Sequence, residues 1–363
     1  MSEKNGAIKI TQYAPVIIPT LNRYDHFKQC IESLQKCTHA DKTELIIGID
    51  YPPSEKYVEG WKKIQKYSKS IKGFKKVTVF NHEQNLGSSK NIIFLRNYAY
   101  KSYDFYILSE DDNVFSPCFL DYINKSLEYY KNDRNVLAIS GYMPPVTWET
   151  QTESTVVHMK EYPAWGISLR KEWLQDMEKN MPLKYLDYVC SHRKLLKKLK
   201  SHLRNLYQFI FWIKDNPSLN RRCDFTIANY LHISGKYVIC PKTSLVRNMG
   251  NDGSGEHCER PEDDIYSTQK ISTAKTFCLK DTLTQTEIKT LQEEFEYWMC
   301  EKSPSKFSDQ QKKEVLKYYK VYMLLGYKPG NLFLKVSQSV KPFCCKLCPK
   351  FLKKIIKKIL HRN

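Results

Sequence analysis

The sequence predicts an α/β fold: a mostly parallel sheet with helices on both faces, followed by a helical C-terminal extension. Two observations point to the sheet. Short apolar strands alternate with amphipathic helices from Ala14 to Tyr142. Polar residues then recur where those strands stop, at Asp50, Asn81 and Glu110–Asp112. Strands that alternate with helices of this length form parallel sheets covered on both sides, and such sheets bind ligands beyond their carboxyl ends. Three polar strand ends on one edge are therefore better evidence of a site than any one of them.

The first strand is the apolar run Ala14–Thr20, APVIIPT. A helix follows, with Phe27, Cys30, Ile31 and Leu34 at helical spacing. TELIIGID is the second strand and ends at Asp50; the charged helix after it has Ser54 as its predicted N-cap. KKVTVFN is the third strand, and a Ser cap starts the helix SSKNIIFLRNYAYKS. YDFYILSE is the fourth strand. The next helix has Ser116 as cap and Pro117 in its first turn, and NVLAISGY is the fifth strand. Beyond Tyr142 the pattern loosens. EYPAWGISLRKEWLQDM predicts a strand-like turn and a helix, and RRCDFTIANYL to SGEHC predicts helix, strand and a Gly-rich loop. Helices and connectors are expected from Ser267. The expected organisation is one α/β domain over 12–265, in two halves, 12–142 and 143–265. A helical extension follows over 266–340, then a basic tail over 341–363.

The 363 residues carry 58 Lys and Arg against 39 acids, a net charge of +19, and 41% hydrophobic residues. That core fraction excludes global disorder, and the charge predicts an anionic partner. The 12 Cys are scattered apart from Cys344, Cys345 and Cys348, which predicts a reduced chain, with lipidation or apolar packing ahead of a metal at that cluster. The polar N-terminus and the lack of a long uncharged apolar run predict a cytoplasmic protein.

Three consecutive acids on a basic chain need explaining. A helix N-terminus next to SP would favour acids through its dipole, and a lone pair of acids would need no more. Adjacent carboxylates repel, however, unless a cation or cationic side chains lie between them. Mg²⁺ or Mn²⁺ takes oxygen ligands, keeps one or two carboxylates and bridges to substrate phosphates.

In this order PVIIPTLNR, IIGID, NLGSSKN and LSEDDN resemble the GT-A (Rossmann-like, family 2-like) nucleotide-sugar glycosyltransferases. The acid trio is similar to the E-D-D form of their metal motif, as in N-acetylglucosaminyltransferase I and its relatives. The likeness runs from Pro15 to His257. It implies that Asp112 ligates Mn²⁺ or Mg²⁺ and that Asp111 and Glu110 contact ribose or donor sugar. It implies a catalytic base at Asp224, although Cys223 and Phe225 replace the family's usual neighbours there. Asp224 also suits an N-cap, and both roles can hold at once. A single base opposite the leaving group predicts inversion.

Further donor contacts are expected from Thr20, Asn22 and Arg23 after the first strand. Asp50 could accept from uracil or ribose, or be a turn acid. Asn85, Gly87 and Lys90 could present backbone amides and charge to an anion, or merely cap a helix. Arg247 and His257 are candidates for the diphosphate, and Trp165 for a sugar platform or a core position. The expected function is an inverting, metal-dependent transfer from a nucleotide-sugar donor, UDP-linked by the resemblance. The acceptor would be a saccharide or lipid-linked oligosaccharide in bacterial cell-surface polysaccharide synthesis. The alternatives are a sugar-phosphate nucleotidyltransferase, whose Gly-rich loop is missing from PTLNRYD, and a basic nucleic-acid-binding protein. No recognised nucleic-acid motif appears, so nucleic acid is not the expected partner.

KPFCCKLCPKFLKKIIKKILHRN has eight Lys and Arg and no acid, with apolar residues at three- and four-residue intervals. That pattern predicts an amphipathic helix from Pro349 lying on an anionic membrane surface, at the inner face of the cell membrane. A second basic stretch, His192–Asp215, suits lipid, the pyrophosphate of a lipid-linked acceptor, or a solvated helix, and the three remain open.

Overall fold

The computed structural model describes residues 8–146, 154–182, 185–206, 224–255, 264–280, 283–302 and 307–325. His257, Cys223 and the tail with its three Cys lie outside them. No helix among the described residues is long and apolar enough to cross a membrane.

The chain divides into two units, one of residues 1–179 and 236–291, the other of 180–235 and 292–363. The first unit is the sheet. Its elements are β1 (Val16–Thr20), α1 (Tyr24–Gln35), β2 (Glu44–Ile49), α2 (Val58–Ser68), β3 (Lys76–Asn81) and α3 (Ser88–Ala99). Then come β4 (Phe105–Leu108), β5 (Asn113–Phe115), α4 (Phe119–Tyr129), β6 (Val136–Ser140), β7 (Val156–Met159), β8 (Ile167–Arg170) and α5 (Lys171–Asn180). The second unit contributes α6 (Tyr185–Ser191), α7 (Arg193–Lys198) and α8 (Asp224–Ser234). The chain returns to the sheet with β9 (Tyr237–Pro241) and β10 (Val246–Asn248), and finishes with α9 (Gln285–Tyr297) and α10 (Asp309–Leu325).

Among the described residues, eight strands form one sheet in the order β3-β2-β1-β4-β8-β6-β9-β7. β3, β2, β1 and β4 run parallel, as do β6 and β9; β8 and β7 run antiparallel to their neighbours. The predicted mostly parallel α/β sheet is therefore observed, with antiparallel strands confined to its second half. All six residues of β2 are buried, because helices cover both faces. On one face Val16, Ile18, Leu45 and Ile47 pack with Phe27, Ile31 and Leu34 of α1 and Phe119 and Tyr122 of α4. On the other face α3 comes so close that a Cβ on Gly48 would stand 2.3 Å from Asn91 Oδ1 and 3.0 Å from Leu95. Asn91 fills that contact by donating to Gly48 O at 2.9 Å.

Three predicted helix starts are corrected. α3 is preceded by Gly87, with φ +73°, and not by a serine cap. Ser116 turns inward to donate to Ser272 O, so α4 begins at Phe119 after Cys118. Ser54 precedes a single 3₁₀ turn, Glu55–Tyr57, and α2 starts only at Val58. In each case a tertiary contact or a backbone turn does what local capping was expected to do.

A candidate nucleotide-sugar site at the end of the central strands

β1 and β4 are neighbours, so the residues that follow them meet. Thr20 ends β1, and Glu110–Asp112 follow β4. Asp111 and Asp112 are 6% and 5% exposed, so both carboxylates are buried. Thr20 Oγ1 donates to Asp111 Oδ2 at 2.8 Å. Arg23 lies between the two acids. Its Nη2 donates to Asp111 Oδ1, and its Nη1 stands 2.8 Å from Asp112 Oδ2. This is the internal cation that the acid run called for. Burial lowers the Arg23 pKa, but the two carboxylates outweigh it and leave it raised. Burial pushes the Asp111 carboxyl above its ordinary value, Arg23 pulls it back, and Asp112 pushes it up again.

A short ribbon closes the site. β5 pairs antiparallel with β10, Asn113 opposite Asn248. Asn248 Nδ2 donates to Asp112 Oδ1 at 2.7 Å, and Met249 N donates to Asp112 O at 2.9 Å. Gly250 N donates to Asn248 Oδ1 at 2.9 Å. A Cβ on Gly250 would stand 2.1 Å from Asp112 Oδ2 and 3.2 Å from Arg23 Nη1. Gly250→Ala is therefore expected to lower the urea midpoint by an amount equivalent to about 1–3 kcal/mol, because neither the backbone nor the ion pair can give way freely. An unchanged midpoint would mean that the loop is not held against the acids. His26 ties the same loop to α1, with Nε2 3.1 Å from Met249 O and 3.2 Å from Asp252 Oδ2.

Asp50 forms a second buried centre. Its Oδ1 accepts from Leu86 N at 2.8 Å and Tyr51 N at 2.9 Å, and its Oδ2 accepts from Gly87 N at 2.9 Å. The anion facing the Leu86 and Gly87 amides is thus a carboxylate of the chain itself. Asn85 donates to Tyr51 O at 2.6 Å. Lys90 is exposed in the first turn of α3. Asn22 lies against α2: a Cβ on Gly60 would stand 1.9 Å from its carbonyl oxygen. Glu110 is half-buried, and its carbonyl accepts from Ser109 Oγ at 2.8 Å.

Thr20, Arg23, Asp111 and Asp112 are thus brought into direct contact. Asp50, Asn85 and Gly87 form a neighbouring cluster joined to β1 through the bond from Asp50 N to Thr20 O, 2.9 Å. Arg247 lies on β10 with its Nε donating to Gln269 O at 2.8 Å. Trp165 packs edge-on against Tyr142 and Tyr266, which places it with the core. Asp224 is the first residue of α8 in the other unit. Its side chain reaches solvent, yet the protein around it pushes its carboxyl up to about 6. Asn248, Gly250 and His26 are site residues that the sequence did not single out. RNMGND carries a Gly after a strand, but nothing local says that its Asn reaches an Asp 136 residues earlier.

No group of three or more His, Cys, Asp and Glu converges among the described residues. Mg²⁺ and Mn²⁺ do not require one, since one or two carboxylates with substrate phosphates suffice. Each Asp112 oxygen has one partner here, and a carboxylate offers about four lone-pair sites, so Asp112 retains lone pairs that could ligate an ion. The residues present fit such an ion on Asp112, with Arg23 as its competitor.

No curated protein sequence matches the chain. Among solved structures it is similar to S. aureus TarS, at 12% identity and TM-score 0.38, covering 91% of this chain and 46% of that one. It is also similar to TarS 1–349, at 11% identity and TM-score 0.39, covering 86% and 81%. A third is the mannosyltransferase PcManGT from Pyrobaculum calidifontis in complex with GDP-Man and Mn²⁺, at 11% identity and TM-score 0.31, covering 48% and 49%. The chain thus spans less than half the length of the first TarS structure. Residues 16–199, more than half of the chain, match the family described as Glycosyl transferase family 2. They include β1, β4, Arg23 and the paired acids, though not β10 with Asn248 and Gly250, and the chain belongs to glycosyl transferase family 2.

Proposed function

We propose that this glycosyltransferase is metal-dependent and inverting, with a UDP-sugar donor and a saccharide or lipid-linked oligosaccharide acceptor in cell-surface polysaccharide synthesis. The transferred group is a hexosyl or N-acetylhexosaminyl unit, and the enzyme works at the cytoplasmic face of the membrane. The observation that carries this reading is the buried Asp111–Arg23–Asp112 cluster at the carboxyl end of β1 and β4. Two buried acids bridged by one guanidinium form a site where a second cation would compete with Arg23 for Asp112.

Asp112 would hold the divalent ion, and Asp111 and Glu110 would meet the ribose or the donor sugar, so that the trio would act as an E-D-D motif. When bound, Mn²⁺ or Mg²⁺ stabilises the negative charge that builds on the departing diphosphate. Arg23 is the residue that would meet a phosphate oxygen of the donor, a contact that a guanidinium suits. Asp50 holds the Asn85–Gly87 loop beside the nucleoside. To Asp224 falls acceptance of the proton from the attacking hydroxyl, and a carboxyl pushed up to about 6 is a stronger base than an ordinary Asp.

A thermal-shift screen of UDP-, GDP-, dTDP- and CMP-sugars, with and without Mn²⁺, tests the reading. Stabilisation by one nucleotide sugar that depends on the metal supports it. Equal stabilisation with and without metal would overturn the metal assignment, and a response to GDP-sugars alone would overturn UDP.

A further inference from the structure

The second unit carries a charged surface that the sugar site does not use. On α7, Leu196 is buried, as is Leu199 just beyond, while Arg193, Lys194, Lys197 and Lys198 are exposed. Lys198 is taken up by Ile233 O at 2.8 Å, at the end of α8. Lys194, Lys197 and Lys200 have no ion-pair partner among the described residues. From Tyr188 to Leu206 the chain has six Lys and Arg and no acid. α7 packs against α10, and Arg193 Nη2 donates to Leu324 O at 3.1 Å.

α10 carries two acids, Asp309 and Glu314, but divides in a similar way. Val315 and Tyr319 are buried, and Lys313, Lys317 and Lys320 are exposed along one stripe. The spacing of four and then three residues places them on one face, and Leu324 follows on that face. Leu324 is 51% exposed and Tyr188, just before α7, is 45% exposed. His192 lies against the Tyr188 ring, centroids 4.2 Å apart. Two packed helices thus carry exposed lysines together with an exposed apolar side chain each, Leu324 on α10 and Tyr188 just before α7. A solvated helix face normally mixes in acids and hides its large apolar groups.

We infer that this α7–α10 face rests on an anionic lipid surface. Charge complementarity carries the inference together with the sequence that follows α10. The described part of α10 reaches Leu325, next to the Leu324 that Arg193 bonds, and the sequence after it has 38 residues with ten Lys and Arg and no acid. The patch and that segment are thus joined at Leu325. Cations with apolar side chains between them suit a headgroup layer, where lysines meet phosphates and Tyr and Leu enter the boundary with the acyl chains. A soluble polyanion would use the charge and leave Leu324 and Tyr188 in water.

The test is sedimentation of the full chain with vesicles of phosphatidylcholine alone or mixed with phosphatidylglycerol. The variant Lys194→Gln/Lys197→Gln/Lys200→Gln keeps the Arg193 bond and the buried leucines. The charge-matched control is Lys62→Gln/Lys66→Gln/Lys69→Gln, from exposed positions on and just after α2. The full chain is expected to bind only the mixed vesicles, and less at high salt. The patch variant should bind on the order of a hundredfold more weakly, roughly fivefold per lysine. The control should bind like the parent, and all three should unfold at the same temperature. Equal losses in both variants would reduce the effect to net charge and overturn the inference. So would an undiminished patch variant, or a chain that binds soluble polyphosphate but no vesicle.

Discussion

Asp112→Asn is expected to lower sugar transfer on the order of a thousandfold, the scale of losing one electrostatic partner of the departing charge. The amide is nearly isosteric. Its oxygen can still accept from Asn248, and Arg23 keeps Asp111, so the fold should survive. What disappears is the anionic ligand. The variant should therefore also lose the part of the nucleotide-sugar thermal shift that depends on Mn²⁺, a readout independent of turnover. Arg23→Gln separates the two uses of the acid pair. It leaves two buried carboxylates uncompensated in the empty site, a loss of about 3–5 kcal/mol when a buried pair is broken. If the ion takes over from the guanidinium, added Mn²⁺ should restore more thermal stability to this variant than to the parent. An Asp112→Asn enzyme that transfers sugar at the parental rate would remove the metal from Asp112.

Asp224→Asn is expected to lower transfer by about 10²–10⁴, the range for loss of a general base, with donor-induced stabilisation intact. The pH dependence follows from the raised pKa. A carboxyl that titrates near 6 is protonated and idle at pH 5 and ionised at pH 7. With this base, kcat/KM of the parent should rise with pH and level off above about 6. The linked stability has the opposite sign. An acid whose folded-state pKa lies above its ordinary 3.8 favours folding below that value, and the contribution is lost as pH rises through about 6. Asp224→Asn should therefore gain on the parent in unfolding temperature between pH 4 and pH 7, modestly, because the side chain reaches solvent. A flat pH profile, or transfer that survives the substitution, would move the base elsewhere.

The sequence revealed the sheet where chemistry was dense. β2 is apolar at nearly every position because both its faces are covered, and a run such as ELIIGI has few other uses. α1 was legible because Phe27, Ile31 and Leu34 bury one stripe. β5, β7 and β10 were missed. At three or four residues they are too short to show a period, and their pairing is decided by residues distant in the chain. The serine caps failed for a related reason. Ser116 has a tertiary partner in Ser272, and the turn before α3 needs the positive φ of Gly87. At the site, the acids, Thr20 and Arg23 could be read from strand ends. Their contact with Asn248 could not, because a single Asn carries no periodicity that points across the molecule.

The β5–β10 ribbon has a consequence for how the enzyme is made. A ribosome releases Asp112 long before Asn248, which lies 136 positions later, whereas Arg23 is 88 positions earlier than Asp111 and already available. The nascent chain therefore brings its own counterion to the acids, and the covering turn arrives afterwards. β9, which fits between β6 and β7, is also among the late arrivals. A ribosome pause before residue 241 leaves β6 with an open edge, the kind of exposed strand that favours aggregation.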